Sequence, residues 1–544
     1  MKQSKQSSGG SKLLKGAALL GMAAIASKLL GTLQKIPLQN LGGDGVFGIY
    51  NTVYPFYTLL VTLATAGFPA AVSKFVAERE ADRDERGAHE ILRVSAVIMM
   101  ALGIFGSAVL FFGASWLGDW IGSPHIIPAL RAAAPALLFV PASAALRGFF
   151  QGQQNMLPTA VSQVVEQAVR VAVMIILLLY LTSAGSGEGT IAGGAMFGSA
   201  AGGAAGLAVM LLFWQSSKEK GSVSSVQGTA SAGTAGNTDR IGMRQLLAYA
   251  VPICLAALAS PLLTLMDTFT LPRLLSEGEI SVMEQIGIYN RGIPLVQLIN
   301  MMATSLSVLF IPAMAELKFK GDLKSAAGQA GTALRWFWMI GCAASVGLGV
   351  LAEPINIMLY KNSAGSDTLL LLAFTAAPAA MATVSAALLQ GIGIVRAPAL
   401  AMVLAAALKA ALNVLLVPGL GISGAAIAGI AAYGLAAGLN MALLVRRMGL
   451  APSLRTALWQ PLLGLLAMAA AVLLLRLGFA AAGLTGRRLD AAAESVLGVV
   501  LGAAVFLAAA LRLRLITGAE LEALPRIGPK LAAALGKLRL LPRP

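Results

Sequence analysis

Six basic side chains lie inside, or at the margins of, long apolar runs: Lys28, Lys35, Arg170, Arg291, Arg335 and Lys409. Acids in comparable places are few, chiefly Glu166 and Asp267. An ionisable group in the middle of a bilayer costs about 2.5–3.5 kcal/mol on insertion scales, so each one requires a partner, a route to the surface or a functional role. Glu166 and Arg170 stand four apart, carboxylate first, the favourable order for a local pair on one helix face; the alternative for both is a coupling or counter-charge role. Lys28 has no acid three or four positions away, which favours a functional role. Lys35, close to the end of the same run, shares that role or snorkels to the interface, and Arg335, one or two turns inside its run, snorkels.

Arg291 stands in IGIYNRGIPLVQLINMM beside Gly292 and Pro294, residues that open or bend a helix. Freed backbone donors and a guanidinium together make an anion site. Asp267, in LLTLMDTFTLP, fits three roles: counter-ion to Arg291, cation ligand or proton-coupled group. Lys409 has Ala405 where a pairing acid would stand and Asn413 four residues on, so it snorkels or faces the space between two lobes. Gly67 and Pro69, in ATAGFPAAVSKF, mark a second bend and, with Gly292 and Pro294, a set of candidate hinges.

Other chemistries find no residues to carry them. Cys254 and Cys342 lie in apolar runs and the only histidines are His89 and His125, which build no disulfide framework, metal site or Cys/His nucleophile. Short outer loops with scattered acids, Asp44, Glu277 and Glu279, do not supply the catalytic carboxylates of a glycan-processing enzyme. The expectation is a non-enzyme with no cofactor.

These charges make sense only if the runs are membrane helices. Of 544 residues 57% are hydrophobic and 12% charged, against about 25% charged in soluble domains. Apolar runs long enough to cross about 30 Å of hydrocarbon recur from end to end. The class is an all-α polytopic membrane protein with about fourteen spans, among them 16–38, 47–75, 243–270 and 285–314. The second, seventh and eighth exceed one bilayer thickness, which implies tilt or kinks.

Twenty-eight Lys and Arg residues fall in alternate loops on one side and six on the other. That asymmetry places both termini in the cytoplasm. The net charge of +16 is spread over many loops, which fits anionic lipid and excludes nucleic acid as a partner. The basic start followed by an apolar run and Ala24-Ile25-Ala26 has the form of a signal peptide; a similar stretch in mid-chain argues that it is kept as a working helix.

QGQQNMLPTAVSQVVEQAVRVAVMIILL, from Gln151, matches QGIGIVRAPALAMVLAAALKAALNVLLV, from Gln390, and puts Arg170 opposite Lys409. Ala26-Ser27-Lys28-Leu29-Leu30 likewise aligns with Ala259-Ser260-Pro261-Leu262-Leu263. The expected organisation is a basic N-terminus (1–15), a first six-helix lobe (16–214), a flexible linker (215–242), a second six-helix lobe (243–445), two extra helices (446–511) and a basic tail (512–544). Parallel repeats of this kind are a feature of transporters with substrate sites between rocking lobes.

The stretches SKLLGTLQKIPL, GFPAAVSKFVAE and above all LRGFFQGQQNMLPTAVSQVVEQAVR resemble the multidrug/oligosaccharidyl-lipid/polysaccharide exporter superfamily, in the branch of stage V sporulation protein B and the Gram-positive lipid II flippases. The resemblance covers nearly the whole chain. It implies a two-lobed, alternating-access flippase that moves an undecaprenyl-diphosphate-linked cell-wall precursor to the outer leaflet; the driving force stays open between a coupling cation (a sodium ion or a proton) as a further partner and the membrane potential. It also implies that cations of the first, second and eighth helices face the diphosphate. The first family arginine falls on Lys28 and the eighth-helix arginine on Arg291; the second falls on Gln34, with Lys35 one place later. The second helix lacks the arginine the family often carries, which bears on whether the head group is lipid II or a related spore-wall or polysaccharide precursor. The alternatives are a drug or cation antiporter of the same superfamily, which would favour acids in its cavity, and a non-transporting assembly factor.

Overall fold

Apolar sequence of this length has to satisfy its backbone internally, and helices do so within one segment. The computed structural model describes residues 3–225, 243–450, 459–484, 486–513 and 515, and among them every regular element is helical. Among the described residues, twelve segments are long and apolar enough to cross a bilayer. One of them, Ala18–Ala81, covers the first two expected spans in 64 residues. The protein is a multi-pass membrane protein.

The chain divides into two compact units, Met1–Gly287 and Ile288–Pro544. The first begins with α1 (Gln3–Leu33), α2 (Lys35–Thr65), α3 (Phe68–Ala81) and α4 (Glu85–Phe112). Two short helices follow, α5 (Ala114–Ile121) and α6 (Ile127–Ala133), then α7 (Ala136–Gly152), α8 (Leu157–Ser183), α9 (Glu188–Ser225) and α10 (Met243–Leu274). Helix α11 (Val282–Asn290) spans the boundary. Because α9 continues to Ser225, the start of the expected 215–242 linker is helical; its remainder, and nearly all of the basic tail, lie outside the described residues.

Glycine decides how closely the helices of the first unit approach. On α9, Gly198, Gly202 and Gly206 recur every four residues and face α8, where an added Cβ would meet the Arg170 carbonyl, the Glu166 carbonyl and the Glu166 side chain in turn. Small residues at this spacing let backbones touch, the main source of helix association where lipid removes the hydrophobic drive. The expected bend at Gly67 and Pro69 is a break between α2 and α3, with Pro69 in the first turn of α3, where its missing N–H costs nothing. The freed Gly67 N–H donates to Cys254 Sγ of α10 at 3.2 Å. A side chain at Gly67 would strike the Ala250 carbonyl. So α10, which the sequence repeat assigns to the second half, packs on α2 and α3 of the first unit.

The second unit contains α12 (Ile293–Phe319), α13 (Leu323–Val350), α14 (Ala352–Tyr360), α15 (Ser366–Ala373), α16 (Ala376–Gly391), α17 (Arg396–Leu420) and α18 (Ile422–Met448). The extra pair, α19 (Gln460–Ala481) and α20 (Arg488–Arg512), pack on each other and on α13 and α14. The sequence repeat is visible in the backbone. Left-handed residues recur at Arg83 and Gly321, Gly122 and Lys361, and Gln154 and Gly393, at the spacing that separates Gln151 from Gln390 to within one residue. Asp84 and Asp322 cap α4 and α13 alike, accepting from the Gly87 and Ser325 N–H groups at 2.9 and 3.0 Å.

Candidate functional site

In the first unit, α1 and α2 meet at Gln34, and a second break at Gly43 (φ 81°) turns the chain again. This brings Lys35, next to buried Gln34 in the chain, onto the tyrosine face of α2. Tyr50, Tyr54 and Tyr57 are spaced four and three residues apart, so all three project from one side of the helix. Tyr50 and Tyr54 stack at 5.6 Å between ring centres, and Tyr57 lies tilted at 6.0 Å from Tyr54. Two cations use this face: Lys35 Nζ is 5.8 Å from the Tyr54 centre, and the Arg170 guanidinium carbon, from α8, is 5.5 Å from Tyr54 and 5.6 Å from Tyr57.

Lys35 and Arg170 are both buried, at 6% and 9% exposure, and neither forms an ion pair among the described residues. Arg170 donates from Nη2 to Ser199 Oγ of α9 at 2.7 Å and from Nη1 to Gln167 Oε1 at 3.5 Å. Gln167 in turn donates to the Ser27 carbonyl of α1 at 3.1 Å. Buried Gln34 Oε1 has no hydrogen-bond partner among the described residues. Cation–π contact supplies about 2 kcal/mol to a desolvated cation, short of the cost of holding two charges inside a span. The site is left with excess positive charge and unused donors, which is what an anion requires.

Sequence spacing misassigned the acid. Glu166 pairs with Arg147 of α7 at 2.7 Å and not with Arg170, and Arg147 also donates to Ser162 Oγ from Nε and Nη2. The pair forms across helices because Gly206 leaves room beside both side chains. Lys28 is exposed on α1, one residue after the carbonyl that Gln167 holds. Asp267 is buried on α10.

Arg291 belongs to the second unit and is not an open anion site. It is 1% exposed, and its Nη1 donates to Asn356 Oδ1 (3.3 Å), Asn362 Oδ1 (2.6 Å) and the Ala364 carbonyl (3.1 Å). The helix does break at Gly292, with Pro294 in the first turn of α12, but a protein hydroxyl takes the freed carbonyl: Tyr360 OH donates to Arg291 O at 2.9 Å. The break and the arginine together clasp the segment between α14 and α15. Lys409 is buried in α17 beside Gly429 of α18. Arg147, Gln167, Ser199 and the three tyrosines were not singled out from sequence; the tyrosine spacing was the available signal.

The polysaccharide biosynthesis protein family matches residues 13–318. The chain is 35% identical over 521 residues to the uncharacterized membrane protein YabM of Bacillus subtilis (strain 168), covering 95% of each. It is 28% identical over 526 residues to the lipid II flippase MurJ of the same organism, covering 92% of this chain and 96% of the relative. Among solved structures, a lipid II flippase MurJ in an inward closed conformation superposes with a TM-score of 0.64 at 14% identity, over 91% of this chain and 98% of that one.

Proposed function

The chain belongs to the polysaccharide biosynthesis protein family of the multidrug/oligosaccharidyl-lipid/polysaccharide exporter superfamily, and on that premise we propose that it flips an undecaprenyl-diphosphate-linked cell-wall precursor from the inner to the outer leaflet. The observation that carries the reading is the buried Lys35 and Arg170 on one tyrosine face, with no paired carboxylate among the described residues. A diphosphate brings about two negative charges, which the pair would neutralise. Lys35 Nζ offers three donors and Arg170 those not used by Ser199 and Gln167. The Gln34 amide, turned to present its NH₂, adds more. Exposed Lys28 on the adjoining helix is the residue we assign to first capture of the head group.

A cation antiporter would instead hold its cargo with buried acids, and Glu166, one turn from Arg170 on α8, is engaged by Arg147. The breaks at Gly67 and Gly292 are the points at which we assign bending to each unit, and both termini are assigned to the cytoplasm from the distribution of basic residues.

The test is precursor reaching the outer leaflet, measured beside the amount of protein in the membrane. Lys35→Ala and Arg170→Ala should each abolish flipping while inserting normally, since removing a cation from a span lowers its insertion cost. Lys35→Arg should retain activity, because a guanidinium keeps the charge and adds bidentate contacts to phosphate. Normal flipping by both alanine variants sinks the proposal.

A further inference from the structure

The two C-terminal helices lie beyond the repeated elements and close a cavity of about 340 Å³ against α14. Pro354, Ile357, Leu473 and Leu477 form its apolar wall, and Glu353, Arg476 and Glu494 its polar side. Arg476 is held between the carboxylates. Its Nε donates to Glu494 Oε1 at 2.9 Å, its Nη2 to Glu353 Oε2 at 2.7 Å, and its Nη1 to the Val350 carbonyl at 2.9 Å.

Two features make this more than a structural clasp. A guanidinium has five N–H groups and these bonds occupy three, leaving one on each Nη. The two carboxylates also exceed the guanidinium by one negative charge. Glu494 is buried, but the Glu353 side chain is 53% exposed, and its Oε1 accepts no hydrogen bond among the described residues. The cavity therefore offers donors suited to a phosphate beside an acceptor suited to a small cation.

Its depth in the bilayer follows from the chain. The segment 482–487 joins two apolar helices and must leave the hydrocarbon to turn, and Gly486 of that segment lines the cavity. This places the polar side at the level of lipid head groups. Leu473 and Leu477, which continue the wall along α19, are exposed toward the surroundings of the helix, where acyl chains run. The volume is near the lower end of small-molecule sites, enough for a head group and not for a whole lipid.

We propose that this cleft binds a phospholipid head group bearing a primary amine, with the ammonium on Glu353, the phosphate on the free N–H groups of Arg476 and the chains along Leu473 and Leu477. Phosphatidylethanolamine has all three parts. Phosphatidylcholine has no N–H to give Glu353, and phosphatidylglycerol places no cation there. The site lies wholly in the second unit and its ligand carries no glycan, so it stands apart from the cargo proposed above.

The experiment uses the full chain in nanodiscs of equal parts phosphatidylethanolamine, phosphatidylcholine and phosphatidylglycerol, with co-purifying lipid counted by native mass spectrometry. The wild type should retain phosphatidylethanolamine over phosphatidylcholine by about two- to fivefold, the range for one partly exposed ionic contact. Glu353→Gln should bring the ratio to near one. Ala480→Phe, which fills the cavity from an exposed position and leaves Glu353, Arg476 and Glu494 themselves in place, should do the same. Equal retention of the two lipids by the wild type, more phosphatidylglycerol than phosphatidylethanolamine, or an unchanged ratio in either variant would overturn the assignment.

Discussion

Replacing Glu166 by glutamine should destabilise the first unit through Arg147 and not through Arg170. The carboxylate meets Arg147 Nη2 at 2.7 Å, with the two side chains only 12% and 18% exposed. Breaking a fully buried pair by removing one partner costs about 3–5 kcal/mol. Partial exposure, and the two bonds from Arg147 that Ser162 keeps, bring the expectation to about 2–3 kcal/mol. The decisive quantity is the coupling energy from two double-mutant cycles, measured as unfolding in mixed micelles of increasing denaturing-detergent fraction. Glu166→Gln with Arg147→Gln should recover about 1–2 kcal/mol relative to additivity, while Glu166→Gln with Arg170→Gln should be additive within about 0.5 kcal/mol. If the Arg170 cycle shows the larger coupling, the local helix pair is the real one and the interhelical assignment fails.

Gly202→Leu should separate α8 from α9, because even a Cβ there would meet Arg170 Cβ at 2.8 Å; the expected result is loss of monodisperse protein, and unchanged yield and thermostability would contradict the glycine-stripe account. Tyr360→Phe removes the donor to the Arg291 carbonyl and should cost about 1–2 kcal/mol in the same micelle titration, whereas a neutral result would mean water replaces it at no cost. The Asp322 carboxyl is held below its ordinary value by hydrogen bonds from Ser325, so the stability it contributes is present above about pH 3.8 and is lost as pH falls through the lower folded value. Asp322→Asn should flatten that acid limb in the pH dependence of unfolding, and an unaltered limb would rule the cap out as its source. A reporter inserted at Gly228 should be protected from external label and one at Gly187 exposed to it; the same response from both would refute the assigned orientation.

The sequence by itself determined what depends on short stretches of chain. Apolar runs require helices because lipid offers the backbone no hydrogen bonds. Gly67 with Pro69, and Gly292 with Pro294, interrupt helices because their effect is on the local backbone, and both breaks stand where the residues put them. The duplicated Gln151 and Gln390 segments likewise announced a duplicated helix pair, visible as α7–α8 and α16–α17.

Only the tertiary structure decided partners. Glu166 had Arg170 within reach on its own helix, yet Arg147 took it, since the glycines of α9 set how the neighbouring helices pack. Arg291 beside Gly292 and Pro294 has the local sequence of an anion site, and it is a clasp because Asn356, Asn362 and Tyr360, around α14 and α15, reach it. Lys35 and Arg170, far apart in sequence, share Tyr54 because α2 kinks at Gly43 and docks beside α8. The physical reason is common to all three. Helix formation is settled within a few residues, whereas the environment of a charge in a membrane depends on which other helix supplies the nearest polar group, and in lipid that choice is made by close packing of small residues and interhelical hydrogen bonds with no fixed spacing along the chain.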